Sequence, residues 1–143
     1  MKNIKMLLVD DEKGFIDTLS KRLEKRELSV SAVYNGEDAI SKLKENSDIE
    51  VVILDVKMPG MDGIETLTEI KRVYPLVEVI MLTGHATVET AIDGMKVGAF
   101  DYLMKPCDIE LLVDKVKGAA KRKRDHEQKI TDARIKEITE RMA

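Results

Sequence analysis

The stretch Glu50-Val51-Val52-Ile53-Leu54-Asp55 decides the fold. Its four consecutive β-branched or aliphatic residues predict a short strand that is buried on both faces, as the strands of a parallel sheet are. An ionised carboxylate is rarely buried without a partner, so Asp55 is expected at the edge of the sheet where this strand ends. In open α/β sheets, that carboxyl edge is where ligands bind.

Apolar runs of this kind alternate with helix-period segments five times along the chain. The predicted strands are 4–9, 29–34, 50–55, 77–82 and 99–103, and the predicted helices are 13–27, 36–46, 63–73, 86–97 and one from about 108. Strict alternation predicts a parallel sheet that is covered on both faces by right-handed crossovers. We therefore predict an α/β fold, a flavodoxin-like doubly wound sheet of five strands in the order 2-1-3-4-5 with five helices.

This strand order predicts an acidic cluster at one edge of the sheet. The first strand leads directly into Asp10 and Asp11, and its switch point with the third strand brings both residues beside Asp55. Two carboxylates ~4 Å apart repel by about 4 kcal/mol at an effective dielectric constant of 20. A hard divalent cation relieves this repulsion, and Mg²⁺ is the common choice for oxygen ligands. For Asp10 or Asp11 alone, capping of the first helix is the competing interpretation.

Two further strand ends complete a predicted site. Thr83 closes the fourth strand with a hydroxyl group, and Lys105 closes the fifth with a fixed positive charge. A metal ion, a hydroxyl and an ammonium group around one carboxylate form a cradle for a phosphoryl group. Aspartate can act as the nucleophile, which gives an aspartyl-phosphate.

Composition and charge limit the other functions. The chain has 143 residues, a net charge of −3 and one cysteine, so a disulfide within the chain is excluded and nucleic acid is not an expected direct partner. No apolar run approaches the ~20 residues of a membrane span. We expect a cytoplasmic protein with no membrane partner.

The C-terminal part differs from the rest in charge. Residues 119–143 carry eight Lys or Arg against five Asp or Glu, with no Gly or Pro. We predict a first domain over 1–118 and, over 119–143, a charged C-terminal extension or linker that continues the last helix. The basic run 121–124 is interpreted as a solvated helix face, with partner docking or a weak phosphate contact as the alternatives.

Four motifs also resemble a known family. They are Leu8-Val9-Asp10-Asp11-Glu12, the run from Leu54 to Gly63, Leu82-Thr83-Gly84-His85 and the run from Gly98 to Pro106. In this order and spacing, over residues 4 to about 118, they are similar to the receiver domain of two-component response regulators. The resemblance is greatest to receivers of NtrC-type transcription activators and their stand-alone relatives.

This resemblance implies a role for each motif residue. Asp55 would be the phosphoacceptor, with a sensor histidine kinase as phosphodonor. The remaining roles are Mg²⁺ binding by Asp10, Asp11, Asp55 and the backbone carbonyl of Lys57, phosphoryl binding by Thr83 and Lys105, switching by Thr83 and Tyr102, and tuning of dephosphorylation by Lys57, Gly84 and His85.

The implied protein is a signalling switch that phosphorylates and slowly dephosphorylates itself, rather than a turnover enzyme. Phosphorylation would change the face formed by the fourth helix, fifth strand and fifth helix, which then binds a downstream protein, an effector domain or a second copy. One alternative is a degenerate receiver that binds proteins independently of phosphorylation. Another is a phosphohydrolase of the haloacid-dehalogenase kind, which needs an aspartate where Lys57 stands.

Overall fold

The structure is a computed structural model, and it describes residues 3–84 and 87–143. The strands are β1 (Lys5–Val9), β2 (Ser29–Val33), β3 (Val51–Leu54), β4 (Glu78–Thr83) and β5 (Asp101–Met104). The helices are α1 (Lys13–Glu24), α2 (Gly36–Glu45), α3 (Gly63–Val73), α4 (Val88–Val97) and α5 (Ile109–Met142).

Within the described residues, the five strands are parallel and lie in the order β2-β1-β3-β4-β5. This order confirms the predicted flavodoxin-like α/β fold. β1 and β3 are direct neighbours, with Val9 opposite Leu54. The pairing extends one residue further, because the Asp55 N–H donates to the Val9 carbonyl at 3.0 Å. The residues that follow β1 and β3 therefore meet at the carboxyl edge of the sheet.

Successive strand residues face two separate apolar cores. Met6 and Leu8 point to the face that α1 and α5 cover, while Leu7 and Val9 point to the face that α2 and α3 cover. All four side chains are almost completely buried. Burial of each such side chain contributes about 1.5–3 kcal/mol relative to its exposure. This two-sided burial explains why the central strands β1, β3 and β4 are mainly apolar between their polar ends.

Within the described residues, two predicted element boundaries are wrong by two residues or more, and the others agree to within one residue. α1 ends at Glu24 instead of residue 27. The Arg26 N–H donates a hydrogen bond to the Leu23 carbonyl at 2.9 Å, which closes a tighter turn, and Glu27 adopts a left-handed φ of 63°. β5 begins at Asp101 instead of residue 99, because Gly98 ends α4 with a φ of 120°. The predicted start of the fourth helix, residue 86, lies outside the described residues.

The packing of α5 on the sheet continues beyond residue 118. Ala119 and Ala120 are fully buried in the same core as the first turns of the helix. The predicted domain division at residue 118 stays a prediction, but it does not coincide with the end of the packed surface. The part of α5 from residue 125 onward is exposed.

The basic run 121–124 is not simply a solvated face, and that interpretation is wrong for its two arginines. Arg124 binds both carboxylate oxygens of Glu50, at 2.6 and 2.7 Å. Arg122 forms an ion pair with Glu78, whose side chain is 2% exposed. Lys71 of α3 holds the other oxygen of Glu78 at 2.9 Å. These contacts fix α5 to the amino edge of the sheet.

The exposed part of α5 is stabilised by ion pairs one helical turn apart, for example Arg141 with Glu137. Among the described helices, none combines the length and the apolar character needed to cross a membrane.

Candidate functional site

The structure brings together the three carboxylates that the sequence places at the carboxyl edge. One carboxylate oxygen from each of Asp10, Asp11 and Asp55 lies within 4.8 Å of the other two. Asp10 and Asp55 are buried, at 3% and 2% exposure, whereas Asp11 is exposed. Three carboxylates this close repel one another, and the two buried ones cannot be screened fully by water.

Asp55 is held by the backbone around it. Its Oδ1 accepts a hydrogen bond from the Val56 N–H at 2.8 Å. The loop after it then turns back, so that the Gly63 N–H donates to the Val56 carbonyl at 2.7 Å. A Cβ atom at Gly63 would lie 2.2 Å from the Asp55 carbonyl oxygen, so only glycine permits this approach. This role of Gly63 was not predicted from the sequence.

Asp10 is fixed by two donors. Its Oδ1 accepts the Glu12 N–H at 3.0 Å, and its Oδ2 accepts Lys105 Nζ at 2.6 Å. Burial raises the pKa of Asp10 above its ordinary value, and the charge of Asp55 adds to this, although both hydrogen bonds act in the opposite direction. Ionised Asp10 therefore lowers the stability of the fold, and an additional cation would reduce this loss.

Lys105 reaches the cluster from the end of β5. Burial by itself lowers its pKa, but the hydrogen bond and charge of Asp10 outweigh this effect, so the pKa of Lys105 lies above its ordinary value and the group is an ammonium ion. Nζ also contacts Glu12 at 3.2 Å and lies 4.1 Å from the centroid of the Phe15 ring. The contacts of Glu12 and Phe15 with Lys105 were not predicted from the sequence, since neither residue belongs to a strand end.

Thr83 and Tyr102 occupy neighbouring strands next to the cluster. Thr83 is fully buried at the end of β4, where its carbonyl accepts the Lys105 N–H at 2.9 Å. Tyr102 in β5 is half-buried, and its hydroxyl forms a hydrogen bond with Thr90 Oγ1 of α4 at 2.9 Å. The Tyr102 side chain therefore joins β5 to α4.

Two of the three predicted tuning residues, Lys57 and Gly84, lie within the described residues. Lys57 and Gly84 are exposed, and a Cβ atom at Gly84 would meet nothing within 4 Å. His85 lies outside the described residues. An open cleft of about 550 Å³ leads to the cluster, lined by Asp11, Glu12, Asp55, Lys57, Met58 and Pro59.

The donor set fits a hard divalent cation. It consists of carboxylate oxygens, two of them buried and hydrogen-bonded in place, and it opens to a cleft that admits water and a further oxygen ligand. Mg²⁺ binds through one or two carboxylates, keeps several waters and takes phosphate oxygens. The arrangement thus suits Mg²⁺ and an anionic group bound beside it.

A doubly wound sheet with an acidic cluster at its carboxyl edge defines a class of small α/β domains that bind ligands at a strand switch point. The family model for the response regulator receiver domain matches residues 6–117, so the chain belongs to this family. Residues 6–117 thus form a receiver domain of two-component signal transduction, for which signalling based on phosphorylation is the expected function.

Relatives and solved structures agree with this assignment. The chain is 37% identical over 116 residues to the transcriptional regulatory protein ZraR of Salmonella typhimurium, which covers 81% of this chain and 26% of that protein. It is 36% identical over 121 residues to a putative NtrX-like response regulator of Rickettsia felis, covering 83% and 25%. A receiver domain structure from Clostridium thermocellum superposes with a TM-score of 0.81 at 37% identity, covering 85% of this chain and 97% of that one. The chain thus spans about a quarter of the length of these curated relatives.

Proposed function

We propose that Asp55 is the phosphoacceptor of this receiver and that a sensor histidine kinase is its phosphodonor. One observation carries the proposal. Asp55 is a buried carboxylate at the end of a central strand, with two further carboxylates within 4.8 Å and an open cleft in front of it. A surface carboxylate that serves only solubility would need neither the burial nor the fixed neighbours.

The transfer requires a nucleophile that is held in place. Val56 N–H fixes Oδ1 of Asp55, and the second carboxylate oxygen attacks the phosphorus of phosphohistidine. The P–O bond forms as the P–N bond breaks, and the imidazole nitrogen keeps the electron pair and takes a proton. Dephosphorylation is the attack of water on the same phosphorus, which releases inorganic phosphate and restores the Asp55 carboxylate.

Asp10, Asp11, Asp55 and the backbone carbonyl of Lys57 would hold Mg²⁺ at this edge. When bound, Mg²⁺ supplies positive charge to the phosphoryl oxygens and offsets the repulsion among the carboxylates. Lys105 contributes an ammonium group that forms an ion pair with Asp10 of the cluster, and its side chain is 14% exposed.

The switch is proposed to run from Thr83 to Tyr102. The Thr83 hydroxyl would bind a phosphoryl oxygen, and the movement of Thr83 would allow the Tyr102 ring to move inward, away from Thr90. The hydrogen bond between Tyr102 and Thr90 supports this route, because its loss would free α4 from β5. The face formed by α4, β5 and α5 would then bind its target.

The target is proposed to be a protein with an apolar surface, either a downstream partner or an effector domain. Large apolar side chains on α4 and β5 are exposed, namely Val88, Ile92, Met95 and Met104. Exposed apolar patches of this kind mark protein-binding sites. Pairing with a second copy through the same face would double the molecular mass of the phosphorylated chain in solution, whereas binding of another protein would not require this. The cytoplasm, where response regulators typically act, is the proposed location of the chain.

Lys57, Gly84 and His85 are proposed to set the lifetime of the phosphorylated state. The open space beside Gly84 leaves water access to the phosphoryl group on that side. Lys57, exposed at the mouth of the cleft, would orient or screen the attacking water.

The test is the intact mass of the chain after incubation with acetyl phosphate and Mg²⁺. We expect the addition of one phosphoryl group, which requires Mg²⁺ and is absent in Asp55→Ala. Asp62→Ala is the matched control, since Asp62 follows the same strand but caps α3 through the Glu65 N–H at 2.9 Å, and it should label like the wild type. Labelling of Asp55→Ala to the same extent would contradict the assignment. Absence of labelling from acetyl phosphate and from a phosphorylated kinase would favour a degenerate binding module.

A further inference from the structure

We infer that Phe15 is a positioning residue for Lys105, and that the face of its ring holds the lysine ammonium group at the phosphoryl site. The inference rests on the proposed function of Asp55. Lys105 Nζ lies 4.1 Å from the centroid of the Phe15 ring. An ammonium group at this distance is attracted by the negative face of the ring, most strongly where water is partly excluded. The Lys105 side chain is 14% exposed, so this condition is met.

Among the described residues, the Lys105 ammonium group has two further side-chain contacts, with the carboxylates of Asp10 and Glu12. Neither contact is expected to fix its position during the proposed reaction. Asp10 accepts a hydrogen bond from the Lys105 ammonium group at 2.6 Å, but Asp10 is also a proposed Mg²⁺ ligand. Glu12 accepts it at 3.2 Å, but the Glu12 side chain is 60% exposed, and such an ion pair contributes little. The contact with Phe15 uses no carboxylate. It is therefore the contact that Lys105 keeps when Asp10 binds a metal ion.

Phe15 is itself well fixed. It lies in the first turn of α1, is half-buried and packs against the core that α1 and α5 share. A phenyl ring has two rotatable bonds, while the lysine stem has four, so a rigid ring limits the conformers that Lys105 can adopt. Because α1 begins directly after Asp10-Asp11-Glu12, the same segment that supplies the metal-binding carboxylates also supplies the support for the lysine.

The chain offers a matched control for the loss of an aromatic side chain. Tyr34 is half-buried and packs against the same core, and its ring lies 5.0 Å from Lys13 Nζ. Tyr34→Leu thus removes a comparable aromatic residue and a comparable contact with a lysine. It leaves Lys105 untouched.

The experiment compares labelling rates at saturating acetyl phosphate and Mg²⁺ for the wild type, Phe15→Leu, Phe15→Tyr and Tyr34→Leu. Phe15→Leu should label about threefold to tenfold more slowly, whereas Phe15→Tyr, which keeps the ring face, should stay within about twofold. In a Lys105→Ala background, Phe15→Leu should change the rate by less than about twofold, because its effect passes through the lysine. Tyr34→Leu should label like the wild type.

A second readout does not depend on the reaction. In the NMR spectrum of the chain, the methylene protons next to Lys105 Nζ should be shifted upfield by the ring, in the wild type and Phe15→Tyr but not in Phe15→Leu. Equal slowing by Phe15→Leu in the Lys105→Ala background would show that Phe15 acts only through packing and would overturn the inference. An unchanged rate in Phe15→Leu, or no upfield shift in the wild type, would overturn it too. Failure of the wild type to label at all would instead contradict the function proposed for Asp55.

Discussion

Acidic or polar residues lie at both ends of β3 and β4, but their negative charge is balanced by cations at the amino end and not at the carboxyl end. At the amino end, Glu50 and Glu78 are paired with Arg124, Arg122 and Lys71. At the carboxyl end, Asp55 lies within 4.8 Å of two further carboxylates, and Lys105 brings one positive charge to the group. Burial is equally deep at both ends, since Glu78 is 1% exposed and Asp55 is 2% exposed.

The balance of charge distinguishes the structural carboxylate cluster at the amino end from the functional cluster proposed at the carboxyl end. Buried ion pairs with enough cations hold elements together, and at the amino end they fix α5 against β3 and β4. Buried carboxylates without enough cations are costly, and a fold keeps them where a ligand supplies the missing charge. The amino end thus accounts for the position of α5, and the carboxyl end supports the proposed binding of Mg²⁺ and a phosphoryl group.

The largest expected effect comes from shortening α5. A chain that ends at residue 118 loses the buried Ala119 and Ala120 together with both arginine contacts, and we expect its free energy of unfolding to fall by about 3–5 kcal/mol. A chain that ends at residue 125 loses only exposed residues and should be nearly as stable as the full chain. Urea unfolding followed by circular dichroism measures both. Equal stability of the two shortened chains would show that the amino-end contacts contribute little.

A smaller loss is expected when one carboxylate of the amino end is neutralised. Glu78→Gln leaves Lys71 and Arg122 without their buried counter-charge, and the free energy of unfolding should fall by about 2–4 kcal/mol. Glu69→Gln is the control, because Glu69 pairs with Arg72 on the surface of the same helix as Lys71, and it should cause little change. If both variants are equally stable, Glu78 is not part of a structural cluster.

The smallest effect is a pH dependence at the carboxyl end. The folded chain raises the pKa of Asp10 above that of the unfolded chain, so the folded state holds this proton more tightly. Stability therefore falls as pH rises from the ordinary value of this pKa through the raised one, and the cost is fully present above the raised value. In the presence of a chelator, the wild type should therefore gain stability relative to Asp10→Asn as the pH is lowered from neutral through the raised value. Urea unfolding of both proteins over this pH range measures the difference, and a change of the opposite sign would contradict the assigned shift.

The fold was largely predictable because its signals are local. The central strands β1, β3 and β4 are mainly apolar and are closed or followed by a polar residue. Helices α2, α3 and α5 begin after Asn35, Asp62 and Asp108, whose side chains accept hydrogen bonds from the first turn. The position of the acidic cluster followed from strand order alone. The error in α1 arose at Glu27, whose left-handed φ is unusual for a residue other than glycine and could not be predicted from residue type. The error in β5 arose directly after Gly98, because the apolar residues 99 and 100 resemble the start of a strand.

The contacts that sequence analysis missed join residues far apart in the chain. Arg124 and Glu50 are 74 positions apart, and Lys105 and Glu12 are 93 positions apart. A run of four basic residues resembles a solvated face when its partners are in other elements, because no period or spacing relates them. Phe15 was missed for the same reason. Its partner lies at the end of the last strand, and an aromatic residue in a first helical turn is ordinary core packing.

The most direct test of the charge-balance account is the effect of Mg²⁺ on the urea unfolding of the wild type, Asp55→Asn and Glu78→Gln. Asn keeps the hydrogen bond from Val56 but removes one negative charge, so metal-free Asp55→Asn should be more stable than the wild type by about 1 kcal/mol. Mg²⁺ at about 100 times its Kd should stabilise the wild type and Glu78→Gln by about 2–3 kcal/mol and leave Asp55→Asn nearly unchanged. Equal stabilisation of Asp55→Asn, or loss of the Mg²⁺ effect in Glu78→Gln, would contradict the account.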